Sequence, residues 1–241
     1  MKTLVTLSLA ALFSMGIVSH TRAQTAAPSM SSIRVTGSAV VSVSPDRAYV
    51  DVGVTTQSPQ SEVAVSQNAA KIDTVLKALR KSLGQSADIK TLSYTLNPEY
   101  QSRGVSSGGQ QTVSGYIATN VVRVTVDDIG KIGNVIDTAT QAGANRIPSI
   151  QFALRDEQTV RRQALRDAAI KARADAEALA ATLGLKVNRI LTVEESGPAA
   201  VPVRQVMFAA RAESSPGTAI QTGSLDVNAT VVLTVEVGSG R

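Results

Sequence analysis

Histidine, cysteine and tryptophan are almost absent from this sequence. It contains one histidine, His20, and neither cysteine nor tryptophan. His20 lies in an N-terminal segment that we expect to be removed, which would leave a chain without imidazole or thiol groups. Their absence excludes histidine-based acid–base catalysis, cysteine nucleophiles, disulfide bonds and the usual zinc sites. We therefore assign no catalytic, cofactor-binding or metal-binding residue from the sequence, and we expect no cofactor.

Aromatic residues and net charge are also low. The sequence has three Phe and four Tyr among 241 residues, so it lacks the stacking platforms of proteins that bind single-stranded nucleic acid. Its formal net charge of +5 becomes +3 when Lys2 and Arg22 leave with the N-terminal segment. A charge this small permits a loose preference for anionic surfaces, but it does not indicate a nucleic-acid partner.

The one long apolar run lies at the N-terminus. Residues 1–23 have the pattern of a secretory signal peptide, with Lys2 first, an apolar run over Leu4–Val18 and small residues for cleavage in Thr21–Ala23. The alternative is an uncleaved membrane anchor. Residues 24–32 are rich in Ala, Ser and Pro and predict a flexible lead-in. No later stretch reaches about 18 apolar residues, so we expect a soluble exported chain with no transmembrane segment after cleavage.

Alternating apolar and polar residues predict β-strands. Residues 33–43 and 48–54 alternate with period two and are joined by a turn at residues 44–46, which predicts a hairpin with one buried face. Further strands are expected over Ile89–Pro98, Tyr116–Val126, Ile147–Leu154, Lys186–Glu194 and Leu225–Val237. Within the first of these, one face is expected to consist of Leu92, Tyr94 and Leu96.

Apolar residues spaced by three and four predict three helices. The longest begins after the capping residue Asp156 and ends at Gly184, with an apolar stripe of Leu165, Ala168, Ala172, Ala176, Leu179 and Leu183. A second covers Ser61–Leu83, with a stripe of Val65, Ala69, Ile72, Leu76, Leu79 and Leu83. The pair Asp127-Asp128 is expected to cap a shorter helix that ends near Ala142-Gly143.

Together these segments give the order β-β-α-β-β-α-β-α-β-β. Because pairs of consecutive strands are mixed with long helices, instead of single strands and helices alternating strictly, the order predicts an α+β fold: an antiparallel sheet with two long helices and one shorter helix packed on it.

Two segments lack the apolar periodicity of a strand or a helix. Gln101–Ser114 is Gly/Ser/Gln-rich and predicts a mobile hairpin tip. Gly197–Gly223 is a long loop, expected to be functional, disordered or ordered only by a partner.

Several blocks of the sequence resemble the SIMPL-domain family. They are Ile33–Gly37 followed by Pro45–Ala48, then Asp88–Thr91 with Tyr94 and Asn97–Tyr100, then Gly115–Asn120 with Gly143-Ala144, and finally the Ala-rich stretch from Ala169 to Gly184. The resemblance covers about Ile33 to Val237, so we expect a SIMPL-like domain over residues 33–238. No single block is decisive, but their order and spacing together are specific.

The resemblance implies a location in the cell envelope. Bacterial SIMPL proteins are described as periplasmic or outer-membrane-associated and sometimes as immunogenic, and some are linked to oxidative-stress defence. The founding animal member is a signalling partner of a kinase. The family has no established catalytic residues, so the resemblance implies none here.

Motifs that could carry chemistry have simpler explanations. Asp127-Asp128 lies at a helix start, where capping is the ordinary role of aspartate, and Glu194-Glu195 ends a strand and is expected to be solvated. Gly104–Gly108 matches G-x-S-x-G with Ser106 as the nucleophile. A nucleophile elbow needs a strand before it, a helix after it and a histidine partner. The flanks of this match are Gly/Ser/Gln-rich, so chance is the better explanation.

The longest helix has a basic face, formed by Arg155, Arg161, Arg162, Arg166, Lys171 and Arg173. One interpretation is a patch for an envelope protein or another anionic surface, with Arg162 and Arg166 as the contacts. The other is a solvated face partly neutralised by Glu157–Arg161 and Asp167–Lys171 pairs, and this is the simpler reading.

The sequence favours a non-enzymatic exported envelope protein that acts through self-assembly or protein interaction, and we expect a homo-oligomer. Support of stress resistance is an expectation from the family resemblance alone. Two alternatives stay open. One is a hydrolase of envelope material that uses carboxylates alone, with Asp51, Asp88 and Glu99 as candidates. The other is a carrier that holds a small hydrophobic or anionic ligand in a cleft between sheet and helix.

Overall fold

The computed structural model describes residues 31–102, 111–197 and 220–239. Within these ranges the chain forms strands and helices in the predicted order. The strands are β1 (Ser32–Val43), β2 (Arg47–Ser58), β3 (Ile89–Ser102), β4 (Gln111–Val126), β5 (Arg146–Ala153), β6 (Leu185–Glu195) and β7 (Leu225–Ser239). The α-helices are α1 (Ser61–Leu83), α2 (Ile132–Gln141) and α3 (Glu157–Thr182). The predicted signal peptide lies outside the described residues, as do nearly all of the lead-in and most of the 197–223 loop.

The strands form two antiparallel sheets, each with its own helical layer. One sheet has the order β3-β4-β2-β5 and packs against α1 and α2, and the other has the order β1-β7-β6 and packs against α3. This arrangement confirms the predicted α+β class. It differs from the expected single sheet because the two long helices lie on separate sheets.

The predicted β1–β2 hairpin is wrong. β1 pairs along its whole length with β7, whereas β2 lies between β4 and β5 in the other sheet. The link between β1 and β2 is held instead by Asp46, whose backbone N–H donates to Ala153 and whose carboxylate accepts from the Arg155 N–H at 2.7 Å. The alternating pattern specifies a buried face but not the strand that pairs beside it.

The core of the four-stranded sheet packs alternate valines of β2 and β4 against α1 and α2. Val122, Val124 and Val126 of β4 point inward and are buried. The predicted stripe of α1 is correct at Ile72 and Leu79 but otherwise displaced by one position, because the buried residues are Ala64, Asn68, Ile72, Val75 and Leu79. A buried asparagine in the stripe hid the true register of the helix.

Asn68 is a fully buried polar residue that joins α1 to two strands. Its Nδ2 atom donates to the carbonyl oxygens of Val54 on β2 at 2.9 Å and of Ala118 on β4 at 3.0 Å. Both N–H donors of the amide are satisfied, whereas its buried Oδ1 atom has no hydrogen-bond partner among the described residues. The two bonds hold α1 at a defined height on the sheet.

Helix α3 begins and ends as predicted, but its buried stripe differs. Asp156 caps it by accepting from the Thr159 N–H at 3.0 Å, and Gly184 follows with a φ of +71°. The buried side chains are all alanine, at positions 164, 168, 172, 176 and 180, while Leu179 and Leu183 are exposed. The helix therefore lies too close to the sheet for leucine to fit between them.

Candidate functional site

The β3–β4 hairpin projects beyond the body of its sheet. β2 stops at Ser58, which pairs with Tyr116, and beyond this point residues 99–102 pair only with residues of the 111–115 segment. We call residues 94–102 and 111–116 the arm, which consists of this two-stranded ribbon and the adjoining edge-strand residues 94–98, where β4 still pairs with β2. A two-stranded ribbon is at best marginally stable by itself in water. The Gly/Ser/Gln-rich segment predicted as a tip is thus partly strand, and its residues 103–110 lie outside the described part.

The arm carries large apolar side chains that are open to solvent. Tyr94, Leu96, Tyr100 and Val113 are between 40% and 55% exposed. Tyr94 and Leu96 lie opposite Asn120 and Ala118, and hence on the sheet face that bears α1. Leu92, Tyr94 and Leu96, which were predicted to share one face of the strand, are all exposed. β3 is an edge strand, so the core ends before it reaches these side chains.

Asp51 is the buried carboxylate of the four-stranded sheet, at 3% exposure. It accepts two hydrogen bonds from the Arg123 guanidinium, at 2.8 and 3.0 Å, and one from the Ser149 hydroxyl at 2.6 Å. The register explains the cluster, because Asp51 lies directly opposite Arg123 on β4 and Ser149 on β5. Arg123 also lies over the Tyr49 ring at 5.4 Å from its centre.

The environment of Asp51 keeps it ionised. Burial alone would raise its pKa, but the hydrogen bonds from Arg123 and Ser149 outweigh burial and lower the pKa below its ordinary value. A general acid needs the opposite shift. A lone aspartate among alternating valines was the sequence signal for this site, whereas its partners on two other strands could not be read from sequence.

The three carboxylates of the hydrolase hypothesis do not converge. Glu99 accepts a hydrogen bond from Gln57, and Gln57 lies six residues along β2 from Asp51, which corresponds to roughly 20 Å. Paired carboxylates in glycoside hydrolysis lie within about 10 Å of each other. Asp88 is held by Lys90 and the Thr125 hydroxyl, which lower its pKa. The geometry therefore favours structural roles for these residues.

A cleft of about 430 Å³ lies where the end of α1 meets the start of α2. Asp127 and Asp128, the acidic pair noted in the sequence, are part of its lining. Asp128 accepts from the Gly130 N–H at 3.1 Å and so caps the 3-10 turn Ile129–Lys131 that leads into α2, whereas α2 itself has no side-chain cap. Asp127 instead pairs with Arg47 at 2.6 Å, and this hydrogen bond lowers the pKa of Asp127. The charges of the cleft are thus largely neutralised by pairs among its own lining residues.

The basic face of α3 is only partly neutralised. The predicted Glu157–Arg161 pair is replaced by one between Arg161 and Glu195 at 2.5 Å, which ties α3 to β6, so Glu195 is not simply solvated. The pairs within 4.0 Å in the described ranges do not include Arg162 or Arg166. Arg162 donates to the Thr159 hydroxyl at 2.7 Å, and Arg166 to the Gln163 side-chain oxygen at 2.8 Å.

The fold and the motif blocks point to a known family. The SIMPL family model, described as a protein of unknown function (DUF541), matches residues 33–235. The chain belongs to the SIMPL family. This confirms the resemblance seen in the motif blocks, and it places nearly all the described strands and helices within the family's domain.

Relatives within the family match along most of their length. The chain is 24% identical over 238 residues to the 26 kDa periplasmic immunogenic protein of Brucella melitensis biotype 1, covering 96% of this chain and 94% of that protein. It is 25% identical over 220 residues to the uncharacterized protein YggE of Edwardsiella ictaluri, covering 91% of each. It is 25% identical over 187 residues to YggE of Escherichia coli K12, covering 78% of this chain and 74% of that protein.

Residues 31–102, 111–197 and 220–239 lack both a membrane-spanning helix and a metal-binding cluster. No helix in these ranges is long and apolar enough to cross a membrane. No group of three or more histidine, cysteine, aspartate or glutamate side chains there has an arrangement that could hold a metal ion. The G-x-S-x-G match at residues 104–108 lies outside the described part of the chain.

Proposed function

We propose that this SIMPL protein is a non-enzymatic periplasmic protein that acts through self-assembly, with the arm as the contact between copies. The observation that carries the proposal is the exposed apolar surface of the arm, formed by Tyr94, Leu96, Tyr100 and Val113. Exposed apolar side chains that cluster on one surface mark interaction sites in soluble proteins. The name of the Brucella relative supports the periplasmic location.

A second copy suits the arm better than a small ligand does. The arm is an exposed sheet edge that ends in a projecting ribbon and not a cavity, and its backbone includes the outer edge of β3. Two such arms can cover each other's apolar side chains around a two-fold axis, since one patch then serves both subunits. Covering the ribbon would also stabilise its two strands, which are at best marginally stable when isolated.

The experiment is a measurement of assembly mass by light scattering on the exported chain and its variants. We expect the mass of the wild-type assembly to be at least twice the mass of one chain. Leu96→Glu and Tyr100→Glu should shift it towards the monomer, because a charge would be buried in the contact. Val40→Glu is the matched control, because Val40 is equally exposed but lies on β1 in the other sheet. A monomeric wild type, or arm variants that assemble normally, would refute the proposal.

The hydrolase alternative has a direct test. Asp51 and Asp88 are kept ionised by cationic partners, which does not suit a general acid. Turnover of cell-wall fragments by the wild type, lost in Asp51→Asn, Asp88→Asn or Glu99→Gln, would support a hydrolase in spite of this. We expect no turnover in any of the four proteins.

Two finer parts of the proposal concern the envelope. Arg162 and Arg166 are exposed cations that form no ion pair within 4.0 Å in the described ranges, which suits an acidic envelope partner. Reversing both to Glu should then reduce the amount of protein recovered with the envelope fraction. An unchanged amount would mean that α3 has only a structural role.

A role in stress resistance predicts that a deletion strain is more sensitive to peroxide. Equal survival of deletion and parent strains would rule that role out.

A further inference from the structure

An apolar groove of about 270 Å³ runs between α3 and the edge strand β6. Its walls are Ile170 from the helix and Ile190 and Val193 from the strand, and β7 contributes its floor. These three wall residues are 62%, 52% and 61% exposed. They lie on a different sheet from the arm, so the groove is a separate surface.

The groove exists because α3 lies to one side of its sheet. The alanine stripe of α3 packs closely on β1 at Gly37, where a Cβ atom would come within 2.2 Å of the Ala168 carbonyl oxygen. Ile190 and Val193 pair with Val235 and Leu233 of β7, so their side chains point to the helical face of the sheet. The helix nevertheless leaves both uncovered. Three aliphatic side chains thus face one another across open space.

Positive charge borders this groove. Arg166 and Arg173 both line it and lie on either side of Ile170 along the helix. Arg173 pairs with Glu177 at 2.8 Å. Arg166 donates to the neutral side chain of Gln163, and none of the ion pairs within 4.0 Å among residues 31–102, 111–197 and 220–239 includes it. Arg166 is therefore the cation best placed to receive an anion from outside.

We propose that this groove binds the acyl chain of a single-chain fatty carboxylate, with the carboxylate on Arg166. Its volume is close to the lower end, about 300 Å³, of typical small-molecule sites, which suits one slim chain. The aliphatic walls offer no hydrogen bond, and an acyl chain requires none. The guanidinium supplies the charge-assisted hydrogen bonds that a carboxylate accepts.

A peptide strand fits this surface less well. Added strands need a regular edge, and β6 has two register shifts, between Val187 and Arg189 and between Ile190 and Thr192. Such bulges break the ladder that an incoming strand would extend. The arginines that border the groove should bind an anionic amphiphile more tightly than a neutral one, and this difference in affinity can be measured.

The test measures, by calorimetry, the binding of dodecanoate to the purified full-length chain. Dodecanoate is kept below its micelle concentration. We expect one molecule bound per chain, and at least tenfold weaker binding of dodecanol, which has the same chain without the charge. Ile170→Glu and Val193→Asp should each weaken dodecanoate binding more than tenfold. Arg166→Glu should do the same, but should leave dodecanol binding unchanged.

Two matched variants isolate the groove. Val40→Asp places the same charge at an equally exposed valine of the same sheet, and Leu96→Glu alters the arm, so both should bind dodecanoate as the wild type does. Circular dichroism confirms that every variant is folded. The proposal is overturned if dodecanoate does not bind, or if Ile170→Glu and Val193→Asp bind it normally. It is also overturned if those two variants instead lower the assembly mass, since a second copy would then occupy the groove.

Discussion

Gly37 on β1 lies directly beneath Ala168 on α3, so close that a Cβ atom at Gly37 would approach the Ala168 carbonyl oxygen to 2.2 Å. The same atom would be 2.5 Å from the Ala172 backbone nitrogen. Neither group can move without moving the helix. This contact sets the distance between α3 and its sheet, excludes leucine from the interface and opens the groove on the far side of the helix.

Gly37→Ala should therefore destabilise the protein strongly. The added methyl group forces α3 away from β1, and overpacking of this kind costs about 1–3 kcal/mol or more. Urea unfolding measures the change. Ser38→Ala, at the next and exposed position of β1, should change the free energy of unfolding by less than about 0.5 kcal/mol. Equal stability of Gly37→Ala and wild type would show that the close contact is not required.

Asn68 should stabilise the protein through its two hydrogen bonds and not through its volume. Asn68→Leu keeps a side chain of similar size but leaves the Val54 and Ala118 carbonyl oxygens without this donor. We expect a loss of about 1–3 kcal/mol in the free energy of unfolding. Asn134→Leu, at an exposed position of α2, is the control and should be near neutral. An unchanged midpoint for Asn68→Leu would contradict the bridging role.

The Asp51–Arg123 pair predicts a dependence of stability on pH. Asp51 has a lowered pKa in the folded protein, so its stabilisation is fully present above the ordinary aspartate pKa of about 3.9. It is lost as the pH falls through the folded-state pKa. Asp51→Asn should cost about 3 kcal/mol at pH 7, because it leaves Arg123 without its carboxylate. That difference from wild type should shrink steadily below about pH 4.

The exposed pair of Asp73 and Lys77 on α1 is the control for this pH series. Asp73→Asn should change the free energy of unfolding by less than about 1 kcal/mol, as usual for surface ion pairs. Unfolding curves for the three proteins from pH 7 to pH 2.5 provide the comparison. A difference between wild type and Asp51→Asn that stays constant across this range would exclude the proposed ionised pair.

Asp127 and Asp128 are adjacent but should respond differently to the same change. Asparagine caps a helix about as well as aspartate does, so Asp128→Asn should be near neutral while Asp128→Ala costs about 1 kcal/mol. Asp127 acts through its charge on Arg47, so Asn and Ala should be equally harmful there, at up to about 1 kcal/mol. Thermal unfolding of the four variants measures this. An equal loss for Asp128→Asn and Asp128→Ala would argue against the cap.

The candidate surfaces were only partly visible in the sequence. One interpretation of the sequence makes Arg162 and Arg166 the contacts of a basic patch, and neither has an ion pair within 4.0 Å in the described chain. The arm was missed, because Tyr94 and Leu96 alternate like any core strand. Whether such side chains are buried depends on how far the sheet extends beyond them, and β3 is its edge. The groove was missed for a similar reason, since Ile190 and Val193 alternate normally on β6.

The sequence by itself determined the order of strands and helices and the ends of α3. These depend on local properties: the period of apolar residues, the capping oxygen of Asp156 and the left-handed backbone at Gly184. Only the tertiary structure decided that β1 pairs with β7 and β2 with β4 and β5. Strand pairing joins residues far apart in the chain, and an alternating pattern fits more than one partner equally well. The position of α3 depended on one such long-range contact, between Gly37 and Ala168.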